Sequence, residues 1–346
     1  MKRGSRNGLK RFFCKRGKHS FSVDHRKKPG ALWIPYIDGI PLRKLGDELN
    51  LSAAQVHSIV KREMNALPDN TRLSLEYGLR WSGRLCIDGK YVKVKGYPKK
   101  IPFIYGIDYL THDIPVGILA LAEDENAFLK LFRLLKTCKY PLAIAICDEV
   151  NALPLAMKKY FPNARIQICQ NHYLENLRQR LKVRTENTYG RFFSQVYQAF
   201  DPKHHPAKRN AMFQRIYFDW RHDPLLRQIL LEINSRIHEL FGFNYRMAKC
   251  PNTNNLIESF NSHIQGRLKS IKGFEKYTSA QRWLNAWMIR RRTKPFTDCE
   301  EPFKYLNGKT SLEVVMKNGV DFPKILGIKP PKSKNKKSAI SPKKNT

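Results

Sequence analysis

The period of the apolar residues changes several times along the chain, and each change marks a candidate element. Leu42, Leu45 and Leu49 recur at helical spacing; a polar turn at Asn50 follows, and after Leu51 the residues Val56, Ile59 and Val60 resume the helical period behind Ser52. This predicts two short helices, with Ser52 and Gln55 as a capping box on the second. From residue 80 the pattern shifts to short apolar runs. Leu85-Cys86-Ile87, residues 103–108 and residues 116–121 read as three strands, joined by links containing Gly, Pro, Thr and Asp. Phe128, Leu131, Leu134 and Leu135 then share a helical face. Residues 142–147 form an unbroken apolar run, as in a strand covered on both faces. A helix over 153–160, a strand over 166–169 and a helix over 173–181 follow. The order βββαβαβα over residues 80–183 is that of the ribonuclease-H-like α/β fold. Residues 184–300 are helical in pattern, with Phe192, Phe193, Val196, Tyr197 and Phe200 in one apolar set and Ile229, Leu230, Ile233 and Ile237 in another.

Charge adds a partner. The chain holds 64 Lys and Arg against 29 Asp and Glu, a formal net charge of +35. Residues 1–30 form a basic leader of +10, and a Pro/Lys tail, expected to be disordered, occupies 323–346, with +7 falling in residues 329–346. Removing the +10 and the +7 from +35 still leaves +18 in between. With 42% hydrophobic and 11% aromatic residues the chain is no disordered polycation. A folded protein of this charge has a polyanionic partner, and nucleic acid is the first candidate. No apolar run reaches eighteen residues and the leader has no apolar core, so neither a membrane span nor a secretory signal is expected. The seven cysteines are odd in number and widely spaced, which fits a reducing, cytoplasmic compartment. Beside this charge, the paired helices over 31–66 read as a helix-turn-helix domain. Its second helix would present Gln55, His57, Ser58, Lys61 and Arg62 to a major groove.

Two strands end in an acid, Asp88 and Asp148. In the predicted topology those strands are neighbours, so the carboxylates meet at one edge of the sheet. Close carboxylates repel unless a divalent cation lies between them, and Mg²⁺ is a hard cation that takes carboxylates together with phosphate oxygens. A third acid is expected on a helix facing that edge. Glu258 is the candidate: it heads a polar stripe of Asn261, Ser262, Gln265 and Lys269, with Ile257, Ile264 and Leu268 on another face.

These residues carry a resemblance. Ile87-Asp88-Gly89, Cys147-Asp148, Cys169-Gln170-Asn171-His172 and residues 254–261 (Asn-Asn-Leu-Ile-Glu-Ser-Phe-Asn), with the acids 60 and 110 residues apart, resemble the DDE transposases of the Mutator-like superfamily and their prokaryotic insertion-sequence relatives. The likeness covers roughly residues 80–300. It implies that Asp88, Asp148 and Glu258 are catalytic and bind two Mg²⁺ (or Mn²⁺) ions for cleavage at transposon ends and strand transfer into target DNA. It implies an all-helical insertion over 184–250, with the catalytic domain completed by 251–300. It implies an auxiliary motif of Cys169, His172, Asn255 and Asn261, and DNA contacts through Arg267, Lys269 and Trp220, the last by stacking on a base. The basic stretch Arg282, Arg290, Arg291, Arg292 and Lys294 would track phosphate. The implied partners are terminal inverted repeats and target DNA, the implied state a homo-oligomer on DNA, and the implied place the nucleoid of a prokaryotic host. The leader resembles half of a zinc ribbon, but Cys14, His19 and His25 give at most three ligands and Cys169 with His172 only two, so zinc is not expected. A catalytically inactive or domesticated copy acting as a DNA-binding protein is the alternative, as is a nuclease without strand transfer.

Overall fold

The computed structural model describes residues 2–6, 9–22, 31–78, 80–242 and 250–317. His25, the tail read over 323–346 and part of the segment read as an insertion lie outside the described residues. The chain divides into two compact units, Met1–Leu67 and Pro68–Thr346.

In the first unit the basic leader forms three strands, β1 (Lys2–Arg6), β2 (Leu9–Cys14) and β3 (His19–Ser22), in an antiparallel sheet of that order. Phe12 and Phe21 face each other across β2 and β3, stacked with ring centroids 5.7 Å apart. Three helices follow: α1 (Trp33–Asp38), α2 (Leu42–Leu49) and α3 (Ala53–Ala66). Between α2 and α3 the chain turns through Asn50 in the left-handed region, and the Leu51 amide donates to the Gly46 carbonyl at 2.9 Å. A Cβ on Gly46 would stand 2.4 Å from the Leu51 carbonyl oxygen, so the turn needs glycine there. Leu45, Val56 and Val60 are buried, while Gln55, His57, Ser58, Lys61 and Arg62 are exposed. The capping box is formed: the Gln55 amide donates to Ser52 Oγ, and Gln55 Oε1 accepts from the Ser52 amide. Ser52→Ala removes one arm of it, and we expect a loss of about 1 kcal/mol, measured by urea denaturation.

The second unit opens with α4 (Asn70–Tyr77) and is built on a five-stranded mixed sheet. Its strands are β4 (Arg84–Val92), β5 (Ile101–Asp108), β6 (Gly117–Leu119), β7 (Ile144–Cys147) and β8 (Arg165–Ile168), in the spatial order β6-β5-β4-β7-β8. The first three pair antiparallel, whereas β7 lies parallel to both β4 and β8. Every residue of β7 is buried, the consequence of a central position with layers on both sides. Helices α5 (Glu125–Thr137), α6 (Ala152–Tyr160) and α7 (Gln170–Arg180) alternate with the later strands. Helices α8 (Gly190–Ala199), α9 (Pro206–Trp220), α10 (Pro224–Ser235) and α11 (Ile237–Leu240) share a core with α7 in which Phe192, Val196, Leu226, Ile229 and Phe241 are fully buried. Trp220 packs against that core: its ring stands edge-on to Phe192 at 5.9 Å and its N–H donates to Gln195 Oε1 at 2.7 Å. The indole is thus half-buried, held on the core by its edge and its N–H, and the base-stacking role expected of it stays a proposal. Two long helices, α12 (Asn255–Ile271) and α13 (Tyr277–Thr293), return to the sheet, and α14 (Ser311–Val315) closes the unit.

The unit is wider than the limits 80 and 300 read from the sequence. Gly78 bridges to Met316, the Arg80 amide donates to the Val315 carbonyl at 3.2 Å, and Ser311 Oγ donates to Asp113 Oδ1 at 3.0 Å. Arg292, read as part of a phosphate track, is instead fully buried, and Arg291 stacks on Phe260 at 4.5 Å. Among the described residues no helix is long and apolar enough to cross a membrane.

Candidate active site

Strand register brings the first two acids together. Cys86 pairs with Ile146 in the parallel β4–β7 ladder, so two residues further on Asp88 and Asp148 stand side by side; Asp148 follows the end of β7, whereas Asp88 does not end its strand but lies within β4, opposite Tyr105 of β5. Burial, and next the negative charge of Asp148, lift the Asp88 carboxyl from 3.8 to about 6. The Gly89 amide donates to Asp88 Oδ1 at 2.7 Å and opposes that rise. Glu123, which the sequence reading passed over, adds to the negative field on Asp88; it sits over Gly89 and accepts from the Tyr91 hydroxyl at 3.0 Å.

Helix α12 delivers the third acid. Its N-cap, Asn254, is fully buried; its side-chain N–H donates to the Ile87 carbonyl at 3.1 Å and its amide to Cys169 Sγ at 3.2 Å. The first turn of the helix is therefore pinned to β4 and to the end of β8, and Glu258 in that turn reaches the sheet edge. One turn on, Asn261 Nδ2 donates to Asp88 Oδ2 while Asn261 Oδ1 accepts from the Tyr105 hydroxyl at 2.9 Å. Asn255 Oδ1 accepts from Asn171 Nδ2 at 3.1 Å, joining the starts of α12 and α7.

His172, in the first turn of α7, completes the group. Its Nδ1 lies 2.7 Å from Asp148 Oδ1 and 3.7 Å from Glu258 Oε1. The contact with Asp148, then that with Cys169, holds the imidazole pKa well above its ordinary value. Asp148 Oδ1, His172 Nδ1 and Glu258 Oε1 are all buried atoms without an aligned hydrogen-bond partner. The Asp148 and Glu258 oxygens thus converge on one point, where His172 now stands and where a cation would also be held. Asp148, Cys169 and His172 also offer one donor each within 4.8 Å of one another. The two-ligand count that argued against zinc at Cys169 and His172 thus becomes three.

Asp88, Asp148, Glu258, Cys169, His172, Asn255 and Asn261 come together here. Arg267 and Lys269 lie further along α12, Lys269 exposed and Arg267 half-buried with its Nη1 donating to Ser270 Oγ at 3.0 Å. Asn254 and Tyr105 were missed. Their sequence signals are only a polar residue heading a helix and a Tyr in an apolar strand, both common.

The raised Asp88 pKa has a consequence for stability. The unfolded carboxyl ionises near 3.8 and the folded one near about 6, so the folded state holds the proton longer. The contribution is intact below about pH 4, is lost as pH rises through 6, and stays lost above. At ~1.36 kcal/mol per unit, Asp88→Asn should gain up to about 3 kcal/mol on the wild type between pH 4 and pH 7. Urea denaturation of both proteins without divalent ions measures it.

The family model described as transposase, Mutator family, matches residues 36–293, a span that contains all three acids. No curated protein matches the chain.

Proposed function

Because the chain belongs to the Mutator family of transposases, proteins that bind, cleave and rejoin DNA, we propose that its second unit is a ribonuclease-H-like DDE catalytic domain. In this reading Asp88, Asp148 and Glu258 hold two divalent cations. The observation that carries it is the convergence of Asp148 Oδ1 and Glu258 Oε1, both buried atoms that face His172 Nδ1, beside Asp88. The donor chemistry favours Mg²⁺ or Mn²⁺ over zinc. The carboxylate oxygens are hard ligands, and Cys169 Sγ already accepts a hydrogen bond from the Asn254 amide. Bound there, the ions would activate the attacking water or 3′-hydroxyl and stabilise the leaving oxygen.

The chain's own residues supply the frame. Asn254 fixes the start of the glutamate helix against β4, and Asn261 fixes the Asp88 carboxylate by its Oδ2. His172 stands against Asp148 and Glu258 and holds their charges together. The exposed His57, Ser58, Lys61 and Arg62 on α3 would read the terminal inverted repeats as the second helix of a helix-turn-helix. Gln55 is partly committed by its Oε1 to the cap. Pairing two ends calls for a homo-oligomer on DNA, acting at the nucleoid.

The test is strand transfer in vitro with terminal-repeat duplex and a target plasmid. Joining is expected with Mg²⁺ or Mn²⁺ and none with EDTA. Binding without cleavage under every metal would favour the inactive, DNA-binding copy, and cleavage without joining the nuclease.

A further inference from the structure

Residues 89–100, which run from Asp88 through the β4–β5 hairpin, contain five lysines and no acid. Tyr91, Lys93, Lys95, Tyr97, Lys99 and Lys100 are exposed, while Val92 and Val94 are buried. The hairpin is welded to the α12–α13 turn. Val94 bridges to Phe274, the Lys95 amide donates to the Phe274 carbonyl at 2.8 Å, and the Phe274 amide donates to the Lys93 carbonyl at 2.9 Å. Gly273 makes the close approach possible: its φ is +138°, and a Cβ there would stand 3.2 Å from the Lys93 carbonyl oxygen. Tyr97 lies against Tyr277 at 6.2 Å. The turn adds exposed Lys272 and Lys276, and the last turn of α12 exposed Lys269; the turn's one acid, Glu275, is answered by Lys95 at 3.1 Å.

Two arms therefore leave the carboxylates and meet again. Along β4, seven residues from Asp88 to Lys95 span about 23 Å at ~3.3 Å each. Along α12, fourteen residues from Glu258 to Lys272 span about 21 Å at ~1.5 Å each. The arms agree, and the Val94–Phe274 weld keeps the basic surface at a fixed distance from the acids. One DNA strand advances ~3.4 Å per nucleotide, so this distance corresponds to about six to seven nucleotides.

We propose that the hairpin and the α12–α13 turn, through Lys93, Lys99, Lys100, Lys272 and Lys276, bind the DNA phosphate backbone about six to seven nucleotides from the phosphodiester held at the carboxylates. The proposal rests on the active-site reading above for the position of that phosphodiester. The surface is a ruler: it gives backbone affinity without base contacts and sets the register in which a strand lies over the acids.

The full-length protein tests it, with equilibrium binding read by fluorescence anisotropy in Ca²⁺. Two sets of duplexes are used, terminal-repeat and target, each with single neutral methylphosphonates stepped away from the cut or joining site. The wild type should lose roughly fivefold in affinity at 0.15 M salt when the substitution falls about six to seven nucleotides out. The set that shows the loss identifies which DNA lies on the surface. Lys93→Ala/Lys99→Ala/Lys100→Ala should erase that loss and make the log affinity against log salt slope shallower by about 2.7. Lys272→Ala/Lys276→Ala, on the other arm, should erase the same position. A control of equal charge, Lys130→Ala/Lys158→Ala/Lys159→Ala, should leave the loss in place. An unchanged interference pattern in both hairpin and turn variants, or no interference in the wild type on either set, overturns the proposal. Because binding is read without cleavage, a wild type that binds in this register yet never cuts would refute the catalytic reading and leave the ruler standing.

Discussion

Asp148→Ala is expected to leave DNA bound and uncut. Cleavage and joining should both fall by at least about 10³-fold, roughly 4 kcal/mol of barrier, in single-turnover assays with Mg²⁺. Three observations load this residue. Its Oδ1 is a buried atom, it pairs with His172 Nδ1 at 2.7 Å, and its charge helps to raise Asp88. Removing it leaves His172 with Cys169 and with Glu258 at 3.7 Å, and takes one carboxylate from the proposed cation site. Asp148→Asn keeps the volume and removes the charge, so it should fail equally; a packing role alone would spare it. Anisotropy with the same duplex should show affinity within about twofold of the wild type, because the α3 surface is untouched. Joining that persists in Asp148→Ala would sink the assignment.

The largest stability effect is expected far from the acids. Arg292 Nε and Nη2 donate to both carboxylate oxygens of Asp113, at 2.8 and 2.9 Å, and both residues are 0% exposed. Arg292 Nη1 donates to Asn70 Oδ1 at 3.0 Å and Ser74 Oγ at 2.9 Å, while Asp113 accepts from Trp81 Nε1 at 2.9 Å and from Ser311 Oγ. One fork thus ties α4, the β5–β6 link, α13 and α14. Arg292→Met strands a buried carboxylate and should cost about 3–5 kcal/mol in urea denaturation. Asp113→Asn should cost a similar amount. Because each change removes the same pair, the double variant Arg292→Met/Asp113→Asn should lose clearly less than the two single losses together.

How far the sequence told this in advance follows from the reach of each interaction. Asp88 and Asp148 were legible because each directly follows a short apolar run, although β4 continues past Asp88 to Val92, and strand period with neighbour order is local information. Glu258 was legible as the head of an amphipathic helix. Asn254 was not: its partners, Ile87 and Cys169, are 167 and 85 residues away. Arg292 was misread because it sits in a run of cations, and only the position of Asp113, 179 residues earlier, distinguishes it from its neighbours. The strands of the leader were hidden because lysine and arginine mask their alternation. Short α14 has too few residues to show a period, yet its Ser311 completes the buried fork. The welded hairpin was also overlooked; its lysines are plain in the sequence, but the Phe274 contact that fixes them is not.

The pinning of Glu258 by Asn254 also sets an order of events during synthesis. Ribosomes add roughly 5–20 residues per second, so about 5–20 s separate the appearance of Asp148 from that of Glu258, 110 residues later. In that interval helix α3 and its basic face already exist, whereas the third acid, its anchor and Arg292 do not. On the function proposed above, a nascent chain would settle on DNA before it has the means to cut it, and the delay is written in the spacing of the acids.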